Sequence, residues 1–230
     1  MMANKANENE IRSAFNDWFK THSTYLITFE GPRGSGKTKQ AKLLADWLSN
    51  QVNQPVVYLQ SPLRVDLFSS SVYNEMIKVD KTDEEYAILG LLNKQLIQDY
   101  IIQHPNTIYI VDRWSLSYWV YQLKVTSLWS NKPFCVWALS FPDKIQPNCQ
   151  FLLDADYDII VNRSKKVKEP LHRYESIQFV EKSVNAYHEY AQKVLNNSDY
   201  EGNMQVINTS DDTVENTQQI IRDLLIDKLF

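Results

Sequence analysis

The sequence predicts an α/β fold, a doubly wound parallel sheet with helices on both faces, in a single domain. Three observations predict it. Five short β-rich runs alternate with helical patterns along the chain, the order that a parallel sheet with crossover helices requires. One of these runs, 107–111 (TIYIV), is continuously apolar, as a strand buried on both faces would be. A glycine-rich stretch, 29–40 (FEGPRGSGKTKQ), joins the first run to the helical pattern that follows it.

The elements follow in order. Residues 1–10 are polar. Residues 10–21 carry Ile11, Phe15, Trp18 and Phe19 on one helical face, which predicts a short amphipathic helix packed on the domain edge. The first strand is 25–29, and a helix spans 38–49. The second strand is 55–59 (PVVYL), followed by the polar loop SPLR. Helical patterns cover 67–77 and 83–103, and the strand 107–111 leads into Asp112-Arg113. A helix is expected over 115–128, a strand over 150–154 (QFLLD) and then a short helix with basic residues. A long helix over 177–195, a last strand over 204–207 and a last helix over 214–229 complete the chain. No linker rich in Pro, Gly or Ser is long enough to divide two domains, and no repeat of domain-building period is visible. The expected organisation is an N-terminal extension, 1–22, and one domain, 23–230.

Composition narrows the function classes. The chain has 230 residues, 43% apolar and 23% charged, the balance of a soluble globular protein. A net charge of -4 argues against a dedicated nucleic-acid binder. The two cysteines, Cys135 and Cys149, form no CxxC or Cys/His cluster and read as reduced thiols of a cytosolic protein. No apolar run approaches the roughly 20 residues needed to span a membrane, and MMANKANENE lacks the apolar core of a secretory signal. The expectation is a cytoplasmic protein with no membrane and no nucleic-acid partner.

Gly31-Pro32-Arg33-Gly34-Ser35-Gly36-Lys37-Thr38 satisfies G-x-x-x-x-G-K-[ST] in full. Its glycines let backbone N–H groups turn towards phosphate oxygens, and the following helix aims its positive end at the same anion. Lys37 is suited to the β- and γ-phosphates and the Thr38 hydroxyl to Mg²⁺. Asp112 ends an apolar strand, the type of position that handles Mg²⁺ in nucleotide-binding proteins of this kind. In an open α/β sheet ligands sit beyond the carboxyl ends of the strands, so Asp112, Arg113 and the loop share one edge.

Three stretches in order, FEGPRGSGKTKQ, VDRWSLSYWVYQ and LHRYESIQFVEKSVNAYHEYA, resemble the thymidylate kinase family, its eukaryotic and viral members in particular. The resemblance covers about residues 24–230. It implies a P-loop NTPase fold of the nucleoside monophosphate kinase type, with a short lid at about 163–173. The implied activity is transfer of the ATP γ-phosphoryl group, with Mg²⁺, to a deoxynucleoside monophosphate: dTMP to dTDP, in dTTP synthesis. A homodimer is also implied. By position, Gly31, Gly34, Ser35, Gly36, Lys37, Thr38, Gln40, Arg163, Asn208 and Thr209 would bind ATP. Thr38 and Asp112 would hold the metal. Lys37, Asp112, Arg113 and Arg33 would serve the transfer itself. Arg64, Asn93, Lys94, Arg113, Trp114, Ser117, Tyr121, Arg173 and Tyr174 would bind the acceptor.

Departures from the family pattern touch the acceptor side. Arg33 stands where most members carry an acidic residue that contacts the acceptor sugar. Lys94 replaces an arginine, keeping charge but losing the planar two-point fork. Gly90 falls where many members place an aromatic ring that stacks on thymine, while Trp114, Tyr118 and Trp119 cluster after Asp112. Those aromatics either supply the stacking surface or belong to the core. Two further readings stay open at this point. A deoxynucleoside kinase shares the fold but typically carries E-R-S where this chain has D-R-W. A catalytically inactive kinase-like binding protein is set against the intact Lys37, Thr38 and Asp112.

Overall fold

The computed structural model describes residues 8–76, 81–165, 177–196 and 204–230. Five strands, β1 (Thr24–Glu30), β2 (Val56–Gln60), β3 (Thr107–Asp112), β4 (Cys149–Asp154) and β5 (Met204–Asn208), form one sheet in the order β2-β3-β1-β4-β5. Every pairing is parallel. The expected fold class is therefore the observed one.

Strand period sorts the side chains onto two cores. On one face Tyr25, Ile27 and Phe29 of β1, Ile108 and Ile110 of β3, and Phe151 and Leu153 of β4 join one cluster. The same cluster takes in Leu44 and Leu48 of α2 (Lys37–Gln51) and Ile221 and Leu225 of α9 (Val214–Leu229). Ile11 and Phe15 of α1 (Glu8–Trp18) are buried in it as well. On the other face Leu26, Tyr109 and Val111 pack on Ile97 and Ile101 of α4 (Asp83–Gln103). Leu152 on that face meets Tyr187 of α8 (Ile177–Asn196). The loop leaving β1 enters α2 on the first face, and the loop leaving β3 enters α5 (Ser115–Tyr118) towards the second. The two loops diverge from neighbouring strands, with Phe29 beside Asp112, and open a crevice at the carboxyl edge.

Helix boundaries follow local signals. α4 begins at a capping box in which the Thr82 hydroxyl accepts from the Glu85 amide and the Glu85 carboxylate accepts from the Thr82 amide. Thr213 caps α9 through the Asn216 amide. α3 (Leu67–Met76) and α7 (Tyr157–Lys165) fall where helices are expected.

The structure corrects the helix expected over 115–128. It breaks into α5, a π-helical turn Trp119–Lys124 and a 3₁₀ turn Ser127–Ser130. A π turn leaves carbonyls without their ordinary helical partners, and the Thr126 hydroxyl satisfies two of them, those of Gln122 and Leu123, at 3.0 Å each. A further helix, α6 (Lys132–Leu139), was not expected, although Asn131 caps it through the Phe134 amide and Pro133 sits in its first turn. No helix among the described residues is long and apolar enough to cross a membrane.

Candidate active site

The loop after β1 has the backbone of a phosphate cradle. Gly31 has φ +139, and a Cβ there would lie 2.3 Å from the Leu153 carbonyl oxygen, so only glycine fits against β4. Gly36 has φ +90 at the N-terminus of α2, where its missing side chain leaves open space. Lys37 is buried, and its Nζ donates to the Pro32 carbonyl at 3.1 Å. Burial first, then the neighbouring Arg113, lowers its pKa to about 7 against the pull of Asp112 and Glu30.

Asp112 and Thr38 meet across the crevice. The Thr38 hydroxyl donates to Asp112 Oδ2 at 2.5 Å, and the Tyr58 hydroxyl donates to the same oxygen at 3.3 Å. Asp112 Oδ1 is buried and has no hydrogen-bond partner among the described residues, a carboxylate oxygen available to a cation at the mouth of the cradle.

Glu30, the last residue of β1, organises the segment after β3. Its Oε1 accepts the amides of Trp114 and Leu116 at 3.0 Å and of Ser117 at 3.2 Å. Its Oε2 accepts the Ser117 hydroxyl at 2.5 Å, and that hydroxyl oxygen in turn lies 2.7 Å from the Tyr187 hydroxyl. The carboxyl thus caps α5 from outside its own chain segment. Burial pushes its pKa up, opposed by the Ser117 and Trp114 donors and by Arg113. Sequence reading took Glu30 only as the start of the loop motif. Its partner Ser117 lies 87 residues away, and no local pattern announces such a cap. Arg113 adopts φ +81 and points back towards the loop, 3.4 Å from the Gly31 carbonyl and from the Ser117 hydroxyl, with its guanidinium 4.7 Å from the Tyr121 ring centre.

A cavity of about 270 Å³ opens beside this cluster. Arg33, Arg64, Lys94 and Arg113 contribute to its wall, together with Asn93, Trp114, Ser117 and Tyr121, and no carboxylate lines it among the described residues. Arg64 lies 4.4 Å from the Tyr73 ring centre. Lys94 pairs with Asp143 at 3.0 Å. Asn93 spends its amide on the loop that carries Arg64, accepting from the Leu63 amide at 2.7 Å and donating to the Ser61 hydroxyl at 2.8 Å. Trp114 is mostly core, packed with Leu26, Leu59 and Tyr109.

On the other side of the cradle, the Thr209 hydroxyl reaches the Ser35 carbonyl at 3.2 Å, and Arg163 donates to the Thr209 carbonyl at 3.1 Å. Asn208 accepts from the Ser210 amide at 2.8 Å. The expected nucleotide-side residues are therefore gathered around the loop, apart from the cavity. Gln40 instead ties α2 to α9, its amide donating to the Val214 carbonyl at 2.9 Å. Arg173, Tyr174 and residues 166–173 of the expected lid lie outside the described residues.

The thymidylate kinase family model matches residues 29–221, which span the cradle, the Asp112-Arg113 segment and the first half of the last helix. The chain belongs to the thymidylate kinase family. The reaction of this family is phosphorylation of dTMP to dTDP with ATP as phosphoryl donor. Among similar proteins, a probable thymidylate kinase of Methanosarcina mazei is 29% identical over 164 residues, 68% of this chain and 76% of that protein. A probable thymidylate kinase of Methanococcus vannielii is 26% identical over 192 residues, 83% and 89% of the two chains. Among solved structures, thymidylate kinase from Candida albicans superposes with a TM-score of 0.69 at 22% identity, covering 91% of this chain and 94% of that one. Thymidylate kinase from Ehrlichia chaffeensis gives 0.63 at 23% identity, covering 89% and 99%. These two structures share the fold.

For a thymidylate kinase fold, the state of Lys37 carries a pH consequence. With its pKa lowered to about 7 in the free protein, the ammonium is charged below that pH and largely neutral above it. A bound polyphosphate favours the charged form and raises the pKa again. Nucleotide binding therefore takes up a proton above pH 7. ATP affinity is expected to be highest at or below pH 7 and to fall by up to about tenfold per pH unit above it. Titration calorimetry at pH 6.5 and 8.5, in buffers of different ionisation enthalpy, checks both the fall and the proton uptake. Equal affinity at the two pH values would contradict a neutral Lys37 in the free site.

Proposed function

We propose that the crevice between the cradle and the cavity is where this chain transfers the ATP γ-phosphoryl group to dTMP, with Mg²⁺ at Thr38 and Asp112. The observation that carries this reading is Asp112 Oδ1, a buried carboxylate oxygen without a hydrogen-bond partner among the described residues, beside a threonine hydroxyl at the mouth of a phosphate loop. Two oxygen donors suit Mg²⁺, which keeps several waters and completes its shell with substrate phosphates. The ion would neutralise charge on the β- and γ-phosphates.

The protein's own residues account for the remaining roles. Lys37 and the loop amides hold the donor phosphates. Arg113 reaches from the end of β3 towards the loop and, with Arg64, grips the acceptor phosphate. Arg33 adds a cation on the cavity side of the loop, where the charge of two phosphate groups converges. Arg163, Asn208 and Thr209 form the donor's flank. Arg173 and Tyr174, outside the described residues, keep the acceptor-binding role that the family resemblance implies. A homodimer and a cytoplasmic location belong to the same reading, and light scattering on the purified chain tests the first.

Coupled measurement of ADP release from Mg·ATP and dTMP tests the function, and Asp112→Asn tests the metal assignment. The substitution keeps the shape but removes the charge that faces the cation. The expected result is a kcat loss of about 10²-fold or more and a higher Mg²⁺ concentration at half-maximal rate. An unchanged Mg²⁺ dependence would remove Asp112 from the metal site.

A further inference from the structure

The π-helical turn brings Gln122 onto Gly90 of α4. A Cβ built on Gly90 would lie 2.6 Å from Gln122 Cγ and 2.9 Å from Cδ, so the glutamine side chain occupies the hollow that a side chain at position 90 would otherwise claim. Both residues line the acceptor cavity, along with Tyr86 and Lys94. Trp119, one of the aromatics considered for a stacking surface, instead packs against Trp129 and Tyr190. The floor of the cavity at Gly90 is an amide.

That amide is held firmly. Oriented to satisfy its neighbours, its nitrogen donates to the carbonyls of Tyr118 at 2.9 Å and Ser117 at 3.3 Å, and its oxygen accepts from the Tyr86 hydroxyl at 3.3 Å. Both amide protons are used, and the oxygen retains one lone pair. Lys94 has three N–H donors. Asp143 Oδ1 at 3.0 Å and the Phe141 carbonyl at 3.3 Å take two of them, and the ammonium also lies 5.7 Å from the Tyr118 ring centre, a weaker partner that a keto oxygen can replace at the third. Of these two groups, Gln122 offers an acceptor that cannot donate and Lys94 a donor that cannot accept.

We propose that Gln122, seated on Gly90, is a specificity-determining residue that reads the acceptor base. Its Oε1 accepts from the N3–H of thymine or uracil while Lys94 donates to the keto oxygen at C4. The inference rests on dTMP being the acceptor. Between these two groups N3–H meets the acceptor and the keto oxygen the donor. In the same pose cytosine sets its amino group against the Lys94 ammonium and its bare N3 against Gln122 Oε1. Two buried polar pairs are then mismatched, which a hydrogen-bonding site rejects strongly.

The test measures kcat/KM with Mg·ATP for dTMP, dUMP, dCMP and N3-methylated dTMP, first on the wild-type chain. dUMP is expected within about tenfold of dTMP, and dCMP and the N3-methylated nucleotide about 10- to 100-fold or more below it. Gln122→Met fills the same hollow without the acceptor atom. It should leave the KM for ATP unchanged, raise that for dTMP and bring the dTMP/dCMP ratio towards one. Gly90→Ala, which displaces Gln122, should shift the ratio in the same direction, and the double variant should be no worse than Gln122→Met alone. A purely structural role would lower kcat for every acceptor alike and leave the ratio untouched. A wild type that takes dCMP as readily as dTMP, or a Gln122→Met protein with the wild-type ratio, overturns the proposal. A wild type that phosphorylates no dTMP overturns the acceptor assignment beneath it.

Discussion

Lys37→Ala is expected to lower kcat/KM by about 10³-fold or more while leaving the melting temperature unchanged or slightly raised. The activity loss follows from what the ammonium does. It is a full charge in a water-excluded loop, where even one neutral donor to developing charge contributes about 10²–10³-fold. The stability result follows from its burial. Lys37 is among the buried charged residues, and its pKa is lowered to about 7 chiefly by desolvation, so the fold pays to keep it charged at neutral pH. Its one hydrogen bond in the free protein, to the Pro32 carbonyl, is a small loss beside that relief. Steady-state kinetics and scanning calorimetry on the same preparation check both halves. Activity within tenfold of wild type would remove the loop from the donor site. A melting temperature lowered by 10 °C would show that Lys37 braces the loop structurally.

Glu30→Ala is expected to damage stability and activity together, in contrast to Lys37→Ala. Removing the carboxyl strands the buried amides of Trp114, Leu116 and Ser117 and leaves the Ser117 hydroxyl to Tyr187. At about 1–3 kcal/mol for each unsatisfied group, partly recovered by relaxation, the loss is several kcal/mol. For a chain of this size that corresponds to a fall of roughly 10 °C in melting temperature. The α5 turn that positions Arg113 also loses its anchor, and kcat is expected to fall about 10²-fold. Glu30→Gln keeps one carbonyl acceptor for the amides and should recover much of the stability. It turns an NH₂ towards the Ser117 hydroxyl, so activity should recover less. If Glu30→Ala melts like the wild type, the cap contributes nothing and the segment after β3 is held elsewhere.

The positions of the active parts were legible to different degrees. The cradle was readable because its requirement is local: Gly31 and Gly36 need backbone angles that other residues resist, and Lys37 and Thr38 follow in adjacent positions. α4 was readable from residue 83 because Thr82 and Glu85 write their capping box within four residues. The segment after Ser115 was misread as one helix because its apolar spacing suits an α-helix. The π turn arises from packing against α4, and Thr126 stabilises it from outside the turn. Asn93 and Gln40 were assigned to ligands on position, whereas their amides serve a loop and a helix junction whose partners lie 30 and 174 residues away.

By itself the sequence determined the alternation of strands and helices, the phosphate loop and the family, because each is written in neighbouring residues or in motifs kept in order. The tertiary structure decided which side chains face one another. It set Glu30 as the cap of α5, left Asp112 Oδ1 without a hydrogen-bond partner among the described residues, and laid Gln122 into the space over Gly90. Those contacts join residues far apart in the chain. Their geometry depends on how sheet and helices pack, and backbone propensity and periodicity carry no record of it.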